Sequence, residues 1–199
     1  MNPPLEHSGP READTFRLAW ATWPADGSTP VRLYLALRER GREVALLESV
    51  EGPARLARYS FLPVDPVARF RGGPSDSVLT TAAGEQLLEA GAEGALRAVL
   101  RSRAAPRPPR ELPPFCGGWV GWFAYEWACA LEPRVPRAAR ERWPVPNATL
   151  DLFEELVAID HAAQRLFVIA PCPGGAAEWP RARERIDALA ADALSQPPD

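Results

Sequence analysis

The stretch LFEELVAIDHAAQRLFVIA, Leu152 to Ala170, decides the fold class. Its two apolar runs, LFEELVAID and RLFVIA, have strand length, and each is rich in β-branched and aromatic residues. The polar link Asp160-His161-Ala162-Ala163-Gln164 is of hairpin length. Strands joined so closely must run antiparallel, because a parallel pair needs a crossover of a dozen or more residues.

Working outward, the same alternation of short apolar runs and breakers recurs. TFRLAW, from Thr15, reads as a strand. Gly27-Ser28-Thr29-Pro30 is a helix start, in which Ser28 or Thr29 can cap and Pro30 suits the first turn. The helix VRLYLALRER follows, with Val31, Tyr34, Leu35 and Leu37 expected toward the core, and Gly41 closes it. EVALLES reads as a strand entering a core. RYSFLPVDPVARFRGG reads as two short strands broken around Pro63 to Pro66, and SVLTTAA as another strand. EQLLEAGAEGALRAVLRSR is expected to be a helix weakened by its two glycines. AAPRPPRELPP, Ala104 to Pro114, is a connector that can be neither helix nor central strand. In FCGGWVGWFAYEW, glycines alternate with aromatics, as in a strand that another backbone approaches closely. A last amphipathic helix begins near Ala176, with Trp179, Ala182, Ile186 and Leu189 inward. Strands outnumber helices, and the expected class is α+β, mostly antiparallel sheets with packed helices.

Length and composition bound the function. A chain of 199 residues supports one domain with a substantial core and is marginal for two. No run of eighteen or more apolar residues and no leader-like start is present, so a soluble, cytoplasmic protein is expected, with no membrane partner. Three widely spaced cysteines, Cys116, Cys129 and Cys172, suggest neither a disulfide framework nor a zinc site, and read as free thiols. The formal charge of -3 with dispersed arginines gives no basic face for nucleic acid. All 23 basic residues are arginine, which removes Schiff-base and phosphate-loop lysine chemistry. Residues 1–14 are expected to be a flexible start, 15–194 the folded domain, and 195–199 a tail or severed linker.

A search for reactive groups returns little. His7 falls in the polar start, and His161 sits in a hairpin turn beside Asp160, where turn chemistry is its commoner role. No G-x-S-x-G, H-E-x-x-H or G-x-G-x-x-G occurs. Glu154 and Glu155 would project to opposite faces of a strand and so could not share a substrate. No catalytic residue, metal ligand set or cofactor motif is assigned to this chain.

A binding site is a different matter. Glu48 and Ser49 end the VALLES strand, and two accounts of them stay open. In one, Glu48 pairs with Arg55 or Arg58 and Ser49 caps a turn before Gly52-Pro53. In the other, a carboxylate and a hydroxyl at a strand end hold the ammonium and carboxylate of a small amino acid, and apolar neighbours supply the rest of the cavity.

Three ordered blocks carry a family resemblance. Leu46-Leu47-Glu48-Ser49-Val50-Glu51-Gly52, with Arg58-Tyr59-Ser60-Phe61-Leu62 and Asp65-Pro66, resembles the LLES and RYSFLG.DP signature of the amino-terminal domain of anthranilate synthase component I. Pro114 to Glu126 is similar to that family's PF.GG.VGY..YD. Leu150 to Phe153, Ala158 to His161 and Leu166 to Ile169 resemble its strand pair ending in DH. Aminodeoxychorismate synthase component I keeps the signature more loosely and is the alternative. Pro63 replaces a common glycine, Trp122 a tyrosine and Glu126 an aspartate, which leaves the tryptophan and folate pathways both open; LLESVEG favours the former.

What the resemblance implies is largely by subtraction. The chorismate-binding half, with its Mg2+ and reacting groups, is expected to lie outside this chain. The chain would be a regulatory and structural part that works with a chorismate-binding chain and a glutamine amidotransferase subunit. Leu47, Glu48 and Ser49 would contact L-tryptophan as feedback effector, and Arg58, Tyr59 and Ser60 would support that pocket or interface. The chain could instead be a free-standing amino-acid-binding module, or a remnant without a task.

Overall fold

The computed structural model describes residues 3, 6–7, 18–48, 58–73, 76–89, 91–102, 108–132, 134–136, 145–173 and 175–195. Its elements are β1 (Glu6–His7), β2 (Leu18–Pro24), α1 (Pro30–Glu39), β3 (Leu47–Glu48), β4 (Tyr59–Val64), β5 (Ala68–Gly72), β6 (Ser77–Thr81), β7 (Gly84–Leu88), α2 (Gly91–Ser102), β8 (Gly118–Phe123), α3 (Ala128–Leu131), β9 (Ala148–Phe153), β10 (Glu155–Asp160), β11 (Arg165–Pro171) and α4 (Trp179–Ala193). The strands form a six-stranded sheet, in order β1-β2-β11-β10-β4-β3, and a five-stranded sheet, in order β7-β6-β5-β9-β8. Every strand pair is antiparallel, so the α+β class holds. The chain divides into two compact units, Met1–Asp65 with Pro106–Gly117 and Glu154–Asp199, and Pro66–Ala105 with Gly118–Phe153.

In the first unit the β10–β11 hairpin forms the centre of the sheet, with Val157 opposite Val168 and Ile159 opposite Leu166. Side chains alternate between two faces, and both faces are buried. One carries Ala19, Ala21, Leu62, Val64, Val157, Ile159, Leu166 and Val168 against Leu33 and Leu37 of α1 and Ile186 and Leu189 of α4. The other carries Leu18, Trp20, Leu156, Ala158, Phe167 and Ile169 against Leu112 of the proline-rich connector and Phe115 and Cys116 just after it. Helix α1 is capped as its sequence directs: Thr29 accepts a hydrogen bond from Arg32 N at 3.2 Å. At the other end, Gly41 N donates to Arg38 O and Arg42 N donates to Leu37 O, with Gly41 at φ +77°, a Schellman closure that favours glycine. Arg42 then pairs with Asp65 and Asp192, tying the ends of α1, β4 and α4. Hydrogen bonds to both carboxylates raise its pKa.

In the second unit, Phe70, Leu150 and Ala148 pack beneath Ala95, Leu96 and Val99 of α2 and beside Trp127. Gly121 fulfils the expected close approach, since a Cβ there would overlap the Thr149 carbonyl.

Several expectations are corrected. Val31 and Leu35 are exposed, because the buried stripe of α1 is Pro30, Leu33, Ala36 and Leu37. Glu85 to Leu88 form strand β7, paired with β6 through the Ala82-Ala83 turn, and the helix begins only at Gly91. LFEELVAID is two strands, split at Glu154, where the chain passes from one sheet to the other. Trp179, the first residue of α4, is exposed, whereas Ala182, Ile186 and Leu189 are buried as expected. Glu6–His7 adds an edge strand to β2 where a frayed start was expected. Pro63 lies inside β4 and the break falls at Asp65 to Val67; the Pro63 carbonyl faces Ala45, so its missing N–H also points to the sparsely paired edge.

Candidate binding site at the ends of β3, β4 and β10

The site is built where the sheet of the first unit runs out. Register places Glu48 opposite Ser60 and Leu47 opposite Phe61. On the far side of β4, Tyr59 faces Asp160 and Ser60 faces Ile159. Facing residues share a face, so Glu48 and Ser60 lie on the helix-covered side, and Leu47, Tyr59, Phe61 and Asp160 on the other.

Arg58 and Asp160 form the electrostatic anchor. Arg58 donates from Nε and Nη2 to the two Asp160 oxygens at 2.9 and 2.6 Å. The same carboxylate accepts from the Ala162 and Ala163 amides, both at 3.1 Å, and so closes the hairpin turn. Burial pushes the Asp160 pKa up, but the Arg58 hydrogen bond and the turn amides outweigh it and hold the group below its ordinary value. The Asp160 bond raises Arg58 in return. The guanidinium lies 4.8 Å from the Tyr59 ring centroid. Tyr59 stacks on Phe61 at 5.8 Å, and Phe61 meets Phe115 edge-on at 5.5 Å. Burial raises the Tyr59 phenol, which keeps it neutral.

On the opposite face, the Ser60 hydroxyl lies 2.8 Å from His161 Nε2, and the His161 amide donates to the Arg58 carbonyl at 2.9 Å. The Asp160-His161 turn therefore grips the start of β4 from both faces. Ser60 is buried. The Asp160 carboxylate is bonded to Arg58 and to its own turn, so it does not orient the imidazole as a nucleophile's base would require. The geometry is that of a positioned strand end. Cys116 is likewise a packed thiol: its sulfur donates to the Pro113 carbonyl at 3.2 Å, and burial pushes its pKa up to about 12.

The residues singled out in sequence fall into two groups. Arg58, Tyr59 and Ser60 come together, joined by Asp160 and His161. Leu47 and Glu48 lie beside them on β3, but both are exposed, which corrects the expectation of a strand that enters the core. The cause is position: Val44 makes only an isolated bridge to Val64, and the run follows the sheet's edge. Arg58 serves Asp160 rather than Glu48, and no described residue forms an ion pair with Glu48. Ser49 and Arg55 lie outside the described residues. Sequence reading did not assign Asp160 and His161 to this network, although the signal was there: a polar pair at a strand end, where an antiparallel partner begins with Arg-Tyr-Ser. Among the described residues no group of three or more potential metal ligands occurs, and no helix is long and apolar enough to cross a membrane.

Curated relatives decide the family. Anthranilate synthase component 1 of Thermus thermophilus is 36% identical over 152 residues, 75% of this chain and 31% of the relative. That of Bacillus caldotenax is 34% identical over 147 residues, 73% of this chain and 28% of the relative. This chain is a homologue of part of anthranilate synthase component 1. The Mycobacterium tuberculosis protein matches 86% of the chain at 30% identity, again over 33% of its own length. The chain thus spans about a third of the curated relatives it matches. The solved anthranilate synthase component I of Streptococcus pneumoniae shares the fold, with a TM-score of 0.58 and 18% identity over 86% of this chain and 36% of that one. No protein-family model matches the chain.

Proposed function

We propose that this component I homologue is the effector-sensing and docking part of an anthranilate synthase, acting in tryptophan biosynthesis from chorismate. The observation that carries the reading is the homology, at 30 to 36% identity, to a segment that makes up only about a third of component 1. Chemistry on chorismate, with its Mg2+, then belongs to the part of component 1 outside the segment matched here, and a glutamine amidotransferase subunit supplies ammonia.

Within that assembly, the exposed Glu48 carboxylate receives the ammonium of L-tryptophan. Ser49 completes the polar contacts, and Leu47, which the register puts on the other face of β3, bounds the site at the sheet edge. Arg58 and Ser60 do not touch the effector; with Asp160 and His161 they fix the strand against which β3 is laid. A free-standing β3 offers one wall of a cavity, so tight binding needs the companion polypeptide.

The test is co-expression with a chorismate-binding polypeptide and the amidotransferase of the source cell, followed by assay with chorismate and glutamine. Anthranilate fluorescence that appears only with all three chains, and is suppressed by tryptophan in the parent but not in Ser49→Phe or Glu48→Gln, is the expected result. Aminodeoxychorismate as the product would move the protein to the folate pathway. Equal inhibition of parent and variants would remove the effector site.

A further inference from the structure

The segment from Glu43 to Glu48 follows β4 in one register: Val44 faces Val64, Leu47 faces Phe61 and Glu48 faces Ser60. An antiparallel ladder exchanges hydrogen bonds at every second pair. Here those pairs are Glu43 with Asp65, Ala45 with Pro63 and Leu47 with Phe61, since Asp65 N donates to the Glu43 carbonyl at 2.7 Å and Ala45 N to the Pro63 carbonyl at 3.1 Å. The middle pair is incomplete, because proline has no N–H to return to Ala45. Beyond it, β3 itself comprises only Leu47 and Glu48.

The pair at the start is completed in another way. Asp65 turns at φ +49°, a left-handed conformation that aspartate tolerates better than most residues, and its carboxylate accepts the Glu43 N–H at 2.9 Å. The other carboxylate oxygen accepts from Arg42 Nη1 at 2.8 Å, and Arg42 Nε donates to Asp192 of α4, also at 2.8 Å. Hydrogen bonds between charged groups are the stronger kind. The edge is thus anchored at Glu43 by a partly buried charge cluster, lacks the N–H of Pro63 in its middle, and ends in the exposed Leu47 and Glu48.

We infer that Arg42 and Asp65 are positioning residues for Glu48: the clamp they form with Asp192 holds the start of an edge strand that Pro63 weakens, and so sets how firmly the Glu48 carboxylate is held beside β4. The inference rests on the reading of Glu48 proposed above. An edge with few hydrogen bonds opens locally well below the free energy of global unfolding. A ligand that needs the closed form binds in proportion to the population of that form, so the clamp tunes effector affinity without touching the effector.

Amide hydrogen exchange of the chain, followed by NMR, tests the clamp. In the parent, the Ala45 and Leu47 amides should exchange by local opening, ahead of Val157 and Val168 in the central hairpin. Arg42→Gln should speed exchange at Ala45 and Leu47 at least about 10-fold, the scale of a hydrogen bond between charged groups. Arg42→Lys keeps the charge without the planar fork that spans two carboxylates, and should fall between parent and Arg42→Gln. Pro63→Ala returns an N–H opposite the Ala45 carbonyl and should slow the same amides about 3-fold or more. Thr29→Ala, which lowers global stability away from the edge, should leave them within about 2-fold. Circular dichroism establishes that each variant is folded, and Asp192→Asn reports on the clamp from α4 if Arg42→Gln does not fold. In the assay with chorismate and glutamine, Arg42→Gln should raise the half-inhibitory tryptophan concentration, measured against its own uninhibited rate, by at least about 3-fold, with Arg42→Lys between. Edge amides that respond to neither Arg42→Gln nor Asp192→Asn overturn the inference and leave the proposed function standing. Faster exchange with an unaltered half-inhibitory concentration also overturns it, because the edge then opens without consequence for the effector. A parent that tryptophan does not inhibit overturns the effector reading, and the inference with it.

Discussion

The two sheets of this protein are written in different hydrophobic codes. In the first unit, β10 and β11 are nearly continuous apolar runs, and five of the six residues of β10 and six of the seven of β11 are buried. In the second, β5 is Ala-Arg-Phe-Arg-Gly, with alternate residues buried. A strand covered on both faces must be apolar throughout, whereas one with a single covered face alternates. The comparison teaches that the first sheet is finished within its own unit. In the second, described residues on the face away from α2, such as Arg71, Trp122 and Leu87, are exposed.

The largest effect should come from the doubly covered sheet. Ile159→Ala removes a fully buried side chain and should cost about 2–5 kcal/mol, whereas Leu87→Ala on the open face should change stability by less than about 0.5 kcal/mol. Urea unfolding followed by tryptophan fluorescence separates the two, and similar losses would break the comparison.

Gly121→Ala tests whether the second sheet is held by backbone proximity in place of a second core face. The new methyl meets the Thr149 carbonyl, and a loss near the upper end of about 1–3 kcal/mol is expected from the same measurement. A neutral result would mean that β8 and β9 can separate freely.

Asp160→Asn sharpens the contrast at the site. Removing the charge from the Arg58 pair should destabilise the fold at neutral pH. Because the folded carboxyl titrates below its unfolded value of about 3.9, the unfolded chain binds the proton more readily. The stabilisation is therefore complete above that value and is lost as pH falls through the lower, folded one. Urea midpoints from neutral pH down to acid should converge for parent and variant, and a constant gap would rule out the charge as the cause. The smallest effect is expected for Thr29→Ala, which removes one cap of α1 and should cost about 1 kcal/mol by thermal unfolding.

Legibility in the sequence followed physical locality. The β10–β11 hairpin, the Thr29 cap, the Gly41 closure and the close approach at Gly121 each depend on a few neighbouring residues, and each was readable. Strand β7 was not, because Glu, Gln and Leu favour a helix and the only turn signal is Gly84, at φ +116°, after Ala82-Ala83; pairing with β6 overrode propensity. The stripe of α1 was misassigned because apolar residues cover much of its circumference, so periodicity marks a helix without choosing Leu33 over Val31 or Leu35. At the site, Arg58, Tyr59 and Ser60 were singled out together. Their partners Asp160 and His161 are about a hundred positions away, and only antiparallel register brings them within reach.

The sequence by itself determined the antiparallel α+β class and the ends of α1, which follow from backbone preferences and spacing over a few residues, and it carries the motifs whose resemblance relates the chain to anthranilate synthase component I. Tertiary structure alone decided that Leu47 and Glu48 lie on an exposed edge, that Arg58 belongs to Asp160, and that β8 has no described strand on its outer side. Each of those depends on which strand lies beside which, and strand order is set by burial summed over whole faces.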